Sequence, residues 1–550
     1  MTEAVTIFRA ARVITMNPSQ PFATHVAVRE GRILAVGGPE EMADLGPARL
    51  DERFAREIIL PGFVEGHCHL YEGLAWSDPY LGYFDRRAPS GEIVAGLTDI
   101  DAVIARLRQI DAAEAAPGKA LSAWGFDPIY FGGRRMTVAD LDAVSTDRPI
   151  VITHASLHIL NVNSTALRLA GLTARTDLDG LVRDAAGELT GEIQGPDAMG
   201  RLRRAVPVDM LGRQLDAEAL HRFGQLARFA GVTTATDLVS DMSDVNLAAY
   251  QAAAATAGFP VRLVPALAAR HFGLDEGIAR WHAVRKHAHE RLHFGPVKLV
   301  VDGSIQGFTA RLRWPGYHNA APNGLWYVAP AELGQIIEAY HRAGAQLHIH
   351  TNSDEATEVA VEMLERALTA HPRPDHRHTL QHCQMPDQAM FRRIKALGLC
   401  CNLFANHIFY WGDAHVAQTM GLARARRMDA AGTALRMGIP FSIHSDAPIT
   451  PLAPLFTAWC AVTRQTASGR VLGADECIPV SEALRAITIG AAYTLKLDHA
   501  VGSLEVGKFA DFAVLAEDPL AAAPARLKDI AVRATVSGGR VFDNADAPRA

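Results

Sequence analysis

Apolar and polar positions follow two different rhythms along the chain. Over the first sixty residues short alternating runs are cut by turns: Val5 to Arg9, Arg12 to Met16, His25 to Arg29, Arg32 to Val36 and Glu57 to Leu60 read as strands, with a hairpin turn at Glu30-Gly31. The same texture returns at the far end, in Gly502 to Asp511, Phe512 to Ala516, Ile530 to Ser537 and Arg540 to Phe542. Neither end alone has strands enough to bury a face, so the two are expected to pair into one small β-sandwich. In the middle, apolar runs alternate with helix-like stretches. Candidate strands are Ile58 to Cys68, Gly231 to Asp237, Val261 to Leu267, Val297 to Gly303, Gln346 to Thr351, Thr379 to Cys383, Leu399 to Phe404 and Phe441 to Asp446. Between them lie stretches such as Pro330 to Ala343, Asp354 to Ala370, Asp387 to Leu397 and Ala430 to Met437.

Eight strand-helix units predict an α/β fold of the TIM-like (β/α)8 barrel type, in which functional side chains gather at the C-terminal ends of the strands. The gap of roughly 160 residues between the first and second strands is too long for a barrel loop. Residues 71-228 are therefore read as an inserted lid over the barrel mouth, with strands at Ala120 to Trp124 and Ile150 to Thr153. Its helices are expected at Val103 to Ala115 and from Asp216 to about Phe229. The domain plan is a sandwich from residues 1-60 and 497-550 around a barrel of residues 61-496.

Composition narrows the class. With 550 residues, 49% hydrophobic and 21% charged, the chain is long enough for several cores and too apolar to be disordered. A net charge of -6 gives no electrostatic reason to expect nucleic acid or an anionic membrane, which leaves a small-molecule ligand. Six cysteines without a repeating spacing do not form a disulfide framework. The N-terminal residues lack a basic segment followed by an apolar one, and no run of about 18 apolar residues occurs, so the chain reads as cytoplasmic.

Candidate chemistry sits at the strand ends. His67 and His69 are two residues apart, so in a strand both imidazoles leave on one face, at a spacing that suits metal ligation. A lone His-x-His is weak evidence among 23 histidines. The fourth strand adds Lys298, the fifth ends at His350, the sixth at His382 and the eighth at Asp446, so five of the eight strands carry metal-competent residues. His348 and His444 share parity with His350 and Asp446 one layer deeper, as donors that orient ligands or as packed core histidines.

Several segments together resemble the amidohydrolase superfamily, and within it amidohydrolase family 3, the YtcJ-like metal-dependent hydrolases. They are Pro61 to His69, Val297 to Ser304, His350 to Ala356, Gln381 to Gln384, His444-Ser-Asp446 and Gly502 to Phe512, with further matches at His158 to Ser164 and Gly187 to Gly191. The resemblance implies one or two divalent metal ions, zinc in the first place. His67, His69 and Asp446 would hold one ion, and His350 and His382 the second. Lys298 matches the place where some members carry a carboxylated lysine bridging both ions; the plain alternative is a lysine paired with Asp302. Ser353 stands where the family has a glycine, a departure that touches a turn and no ligand.

The reaction implied is hydrolysis of a C-N bond other than a peptide bond, in an amide, an N-substituted formamide or a cyclic amide. Asp446 would act as base and then acid. A deaminase or esterase on the same barrel, or an inactive binding protein, are the alternatives. Tyr71, Glu72, Trp76, His158, Asp302, His407 and Trp411 are the candidate substrate contacts, and their aromatic character suits an apolar or aryl N-substituent. The resemblance also suggests a homodimer, for which the sequence itself carries no signal.

Overall fold

The computed structural model describes residues 4-114 and 119-544. Its centre is one curled sheet of eight parallel strands, each beside its successor in the chain: Phe63–Glu65, Val232–Ser240, Arg262–Ala268, Pro296–Val300, Gln346–Thr351, Thr379–His382, Cys400–Leu403 and Phe441–Ile443. These strands are buried almost throughout, as parallel strands covered by helices must be. The first and eighth share no ladder. Their seam closes just beyond the strand ends, where Asp446 N-H donates to His67 O at 3.0 Å and His69 N-H to Ala447 O at 2.8 Å.

The run expected as one strand from Ile58 to Cys68 divides at Gly62. Ala48–Pro61 belongs to the sheet of the termini, and only Phe63–Glu65 enters the barrel. A Cβ at Gly62 would stand 2.1 Å from Thr233 Oγ1, so no side chain fits where the chain crosses between the sheets. Strands of both termini join one seven-stranded sheet, in which the long strand Ala48–Pro61 has Val5–Ile14 on one side and Phe512–Leu515 on the other. The two ends thus pair through a shared central strand within a single sheet, where two stacked sheets were expected. One apolar cluster, including Phe8, Phe54, Phe512 and Val536, draws on both termini. The sheet is locked to the barrel by Arg262, whose Nε donates to Asp511 Oδ2 at 2.7 Å and whose guanidinium lies 3.4 Å from the Phe509 ring centroid.

The segment after the first barrel strand builds its own five-stranded sheet: Leu181–Arg183, Leu189–Gln194, Ile159–Val162, Ile150–His154 and Leu121–Phe126. The helix expected from Val103 to Ala115 runs over Ile100–Glu114; Ala115 lies outside the described residues. The helix Ala217–Ala230 is not part of the insert. It packs on the second barrel strand and on the helix Asp244–Ala255, so the insert ends earlier than residue 228. Asp216 caps it by accepting from Ala219 N-H at 2.7 Å, and Gly231 at φ 75° turns the chain straight into the strand. Among the described residues, no helix is long and apolar enough to cross a membrane.

Candidate metal centre

Polar groups from five strands converge at the C-terminal mouth of the barrel. His67 Nε2 and His69 Nε2 each lie 3.2 Å from Asp446 Oδ1. Two donors bound tetrahedrally to one zinc ion at about 2.0-2.1 Å stand about 3.4 Å apart, so these separations match the edges of one coordination shell. His350 Nδ1 and His382 Nε2 are 3.0 Å apart, and His382 Nδ1 stands 3.7 Å from Asp446 Oδ2. Lys298 Nζ lies 3.3 Å from His67 Nε2. It makes no ion pair with a carboxylate among the described residues. Asp302, its possible partner, instead accepts backbone N-H groups of Asn352 at 3.1 Å and of Ser353 and Arg311 at 3.2 Å.

Hydrogen bonding fixes which nitrogen of His67 is bare. Gln381 Oε1 is 2.7 Å from His67 Nδ1 and accepts from Asn402 Nδ2 at 2.9 Å, while Gln381 Nε2 reaches His348 Nδ1 at 2.6 Å. In that network the amide oxygen takes the proton of His67 Nδ1, which leaves Nε2 with a lone pair. Burial drives the pKa of His67, His350 and His382 well below the usual histidine value, so these rings are neutral. His67 Nε2, with the Lys298 amine 3.3 Å to its side, therefore points its lone pair at Asp446 Oδ1, which has no hydrogen-bond partner. Two lone pairs in a buried site repel unless a cation lies between them, and the donor set of imidazoles and carboxylate suits a divalent ion. Burial also lowers Lys298 to about 7. His382 and Asp446 both sit in the left-handed region, at φ 66° and 55°, a conformation that side chains other than glycine adopt at a cost and that clusters at functional sites.

Two further carboxylates support the cluster, and neither stood among the residues expected from sequence. Asp237, in the C-terminal half of the second strand, accepts from Tyr250 Oη at 2.8 Å, and its unpartnered Oδ1 lies 3.9 Å from the unpartnered Nδ1 of His69. Asp237 was the last residue of an expected strand, which was its signal. Glu65 accepts from Ser445 Oγ at 2.8 Å, Ser445 N-H at 3.2 Å and His67 N-H at 3.3 Å, pinning the eighth strand to the first; burial raises it to about 8. Its spacing of two from His67 was visible. Of the deeper histidines, His348 is tied to Gln381, and His444 stacks on His67 with ring centroids 4.6 Å apart.

His67, His69, Lys298, His350, His382 and Asp446 all line one cavity of about 460 Å3, together with Tyr71 and His158. Tyr71 stacks on His69 at 4.6 Å; His158 packs on His350 at 5.6 Å with Nδ1 3.0 Å from Tyr327 Oη. The other expected substrate contacts do not line it. Glu72 accepts from Arg86 Nη2 at 2.8 Å in a buried pair, and Trp76 packs edge-on against Trp124. His407 lies between Trp411 and His415, Trp411 Nε1 donates to Asp127 Oδ2 at 3.0 Å, and Asp302 organises the loop after the fourth strand. Their aromatic and polar character is used for packing and buried hydrogen bonds.

A family model described as amidohydrolase family matches residues 57-543 of this geometry's chain. The chain belongs to the amidohydrolase family. As an amidohydrolase it is a hydrolytic enzyme. It is 28% identical to YtcJ of Bacillus subtilis (strain 168) over 555 residues, covering 97% of this chain and 98% of the relative. It is 26% identical to the N-substituted formamide deformylase of Arthrobacter pascens over 544 residues, 96% of each chain. The fold of this amidohydrolase is shared with an uncharacterized metal-dependent hydrolase from Pyrococcus horikoshii OT3, at a TM-score of 0.71 and 20% identity, covering 95% of this chain and 99% of the other.

Proposed function

We propose that this amidohydrolase cleaves the C-N bond of a small amide, with an N-substituted formamide as the model substrate. The observation that carries the reading is the lone pair of His67 Nε2 facing the unpartnered Oδ1 of Asp446 at 3.2 Å, with His69 Nε2 at the same distance from that oxygen. His67, His69 and Asp446 would hold one divalent ion, zinc by its ligand types, and His350 and His382 a second, with a carboxylated Lys298 between them. Such ions acidify water and polarise a carbonyl oxygen.

The side chains supply the rest. Asp446 accepts the proton of the attacking water and delivers it to the leaving nitrogen. Tyr327 Oη lies 3.0 Å from His158 Nδ1; with the tyrosine hydroxyl as donor in that contact, His158 would present Nε2-H to the substrate carbonyl oxygen. Burial holds His158 neutral, with its pKa lowered to about 4, so it orients the carbonyl without carrying charge. Apolar walls that include Leu74, Met199 and Leu211 accommodate the N-substituent, and the likeness to the N-substituted formamide deformylase of Arthrobacter pascens supports that substrate class. The test is a panel of N-substituted formamides, esters and amino-heterocycles assayed with zinc. Formamide hydrolysis that disappears in Asp446→Asn supports the reading; activity on esters or amino-heterocycles alone overturns it.

A further inference from the structure

The wall of the cavity contributed by the insert carries arginines that the reaction does not use. Arg203, on the helix Gly195–Ala205, and Arg213, shortly after it, both line the cavity. Each is gripped by a carboxylate outside the cavity lining. Arg203 Nε lies 3.1 and 2.9 Å from the two oxygens of the buried Asp209, and Arg213 Nη2 donates to Asp78 Oδ2 at 2.5 Å. A guanidinium has five donors in a rigid fork, so a carboxylate on one edge fixes its direction and leaves other N-H groups available. Nη1 of both arginines has no hydrogen-bond partner among the described residues.

Two acids line the same cavity, and each accepts hydrogen bonds from its own neighbours on one oxygen. Asp237 accepts from Tyr250 Oη, and Asp241 Oδ1 accepts from Ser243 N-H at 2.9 Å and Asn246 Nδ2 at 2.7 Å. Tyr71, stacked on His69, lines the same cavity as Arg203, so the arginine and the candidate metal centre open onto one space. Between them the lining is mostly apolar, through residues such as Met199, Met210 and Leu215.

We propose that the substrate is an amide carrying a carboxylate, with that carboxylate bridging the remaining Nη1 groups of Arg203 and Arg213 and its apolar body along the wall toward the metal centre. This rests on the amide-hydrolase reading and names the substrate class within it. A carboxylate that accepts one charge-assisted hydrogen bond from each of two fixed guanidinium groups is held in direction as well as by charge, and at a partly buried site it resists screening.

The test compares two amides of equal length on the zinc-loaded full chain, one ending in a carboxylate and the other in a neutral carboxamide, in wild type, R203M, R213M and R203K. The expected result is a KM at least about tenfold lower for the carboxylate in wild type, as two charge-assisted hydrogen bonds can supply. That preference should collapse toward unity in R203M and R213M and be partly kept in R203K. Binding of 4-phenylbutyrate and 4-phenylbutanol by calorimetry gives the same comparison without turnover. R213M, whose partner Asp78 is partly exposed to solvent, keeps the test decisive should R203M fail to fold. No carboxylate preference in wild type, or an equal change for both ligands in the variants, overturns the proposal. Selective 4-phenylbutyrate binding that needs both arginines, with neither amide cleaved, would leave the anion site standing and sink the C-N hydrolase reading.

Discussion

Gln381 Oε1 and His67 Nδ1 lie 2.7 Å apart inside the barrel, and this contact decides which edge of His67 is free for a ligand. Without an acceptor at position 381, the proton of His67 can move to Nε2 and occupy the ligand position. Gln381→Leu is expected to weaken zinc binding by about 10- to 100-fold, the usual effect of losing a partner behind a ligand. Competition with a chromophoric chelator measures it. Unchanged affinity would show that the tautomer is set elsewhere.

Glu65 replaces a missing ladder. The first and eighth strands share no strand pairing, and its carboxylate takes two donors from Ser445 across that seam and a third from His67 on its own side. Glu65→Ala leaves those donors buried and unpaired, at a cost of about 1-3 kcal/mol for each that finds no water. A clearly lower denaturation midpoint is expected, with partial recovery in Glu65→Gln.

The same residue gives a pH dependence. Its folded pKa is raised, from 4.5 to about 8, so the folded state holds the proton more tightly than the unfolded state. Its contribution is fully present below pH 4.5 and is lost as pH rises through about 8. Comparing urea midpoints of wild type and Glu65→Gln across that range should show a decline in wild type that the variant lacks. Parallel curves would contradict the assignment.

Arg262 and Asp511 are both buried and join the third barrel strand to the sheet of the termini. Removing one partner of such a pair leaves an uncompensated charge, so Arg262→Ala should cost about 3-5 kcal/mol. Calorimetry of unfolding checks this, and a change below about 1 kcal/mol would mean that water replaces the guanidinium.

The barrel was legible because eight apolar runs alternate with amphipathic helices, a pattern that period and length alone reveal. The boundary at Gly62 was only half legible. Pro61-Gly62 announces a break, but which sheet owns Ile58 to Leu60 depends on pairing with Phe512–Leu515, more than 450 residues away in the chain. At the candidate site, residues at strand ends were readable because a strand fixes their direction, and all six expected ligands line one cavity. Loop residues were not. Trp76, His407 and Trp411 look like a binding surface in sequence, yet their direction is set by Trp124, His415 and Asp127, which only the folded chain brings to them. Asp237 and Glu65 were overlooked because one carboxylate in an apolar strand matches no motif until its partners stand beside it.

The most direct test of the account is metal content per chain, by elemental analysis of the purified protein, together with the intact mass at Lys298. One or two divalent ions per chain, lost in His67→Ala and Asp446→Ala, are the expected result, and a carboxylated lysine accompanies the two-ion form. A chain that holds no metal, takes none up, and keeps its stability in a chelator would contradict the account.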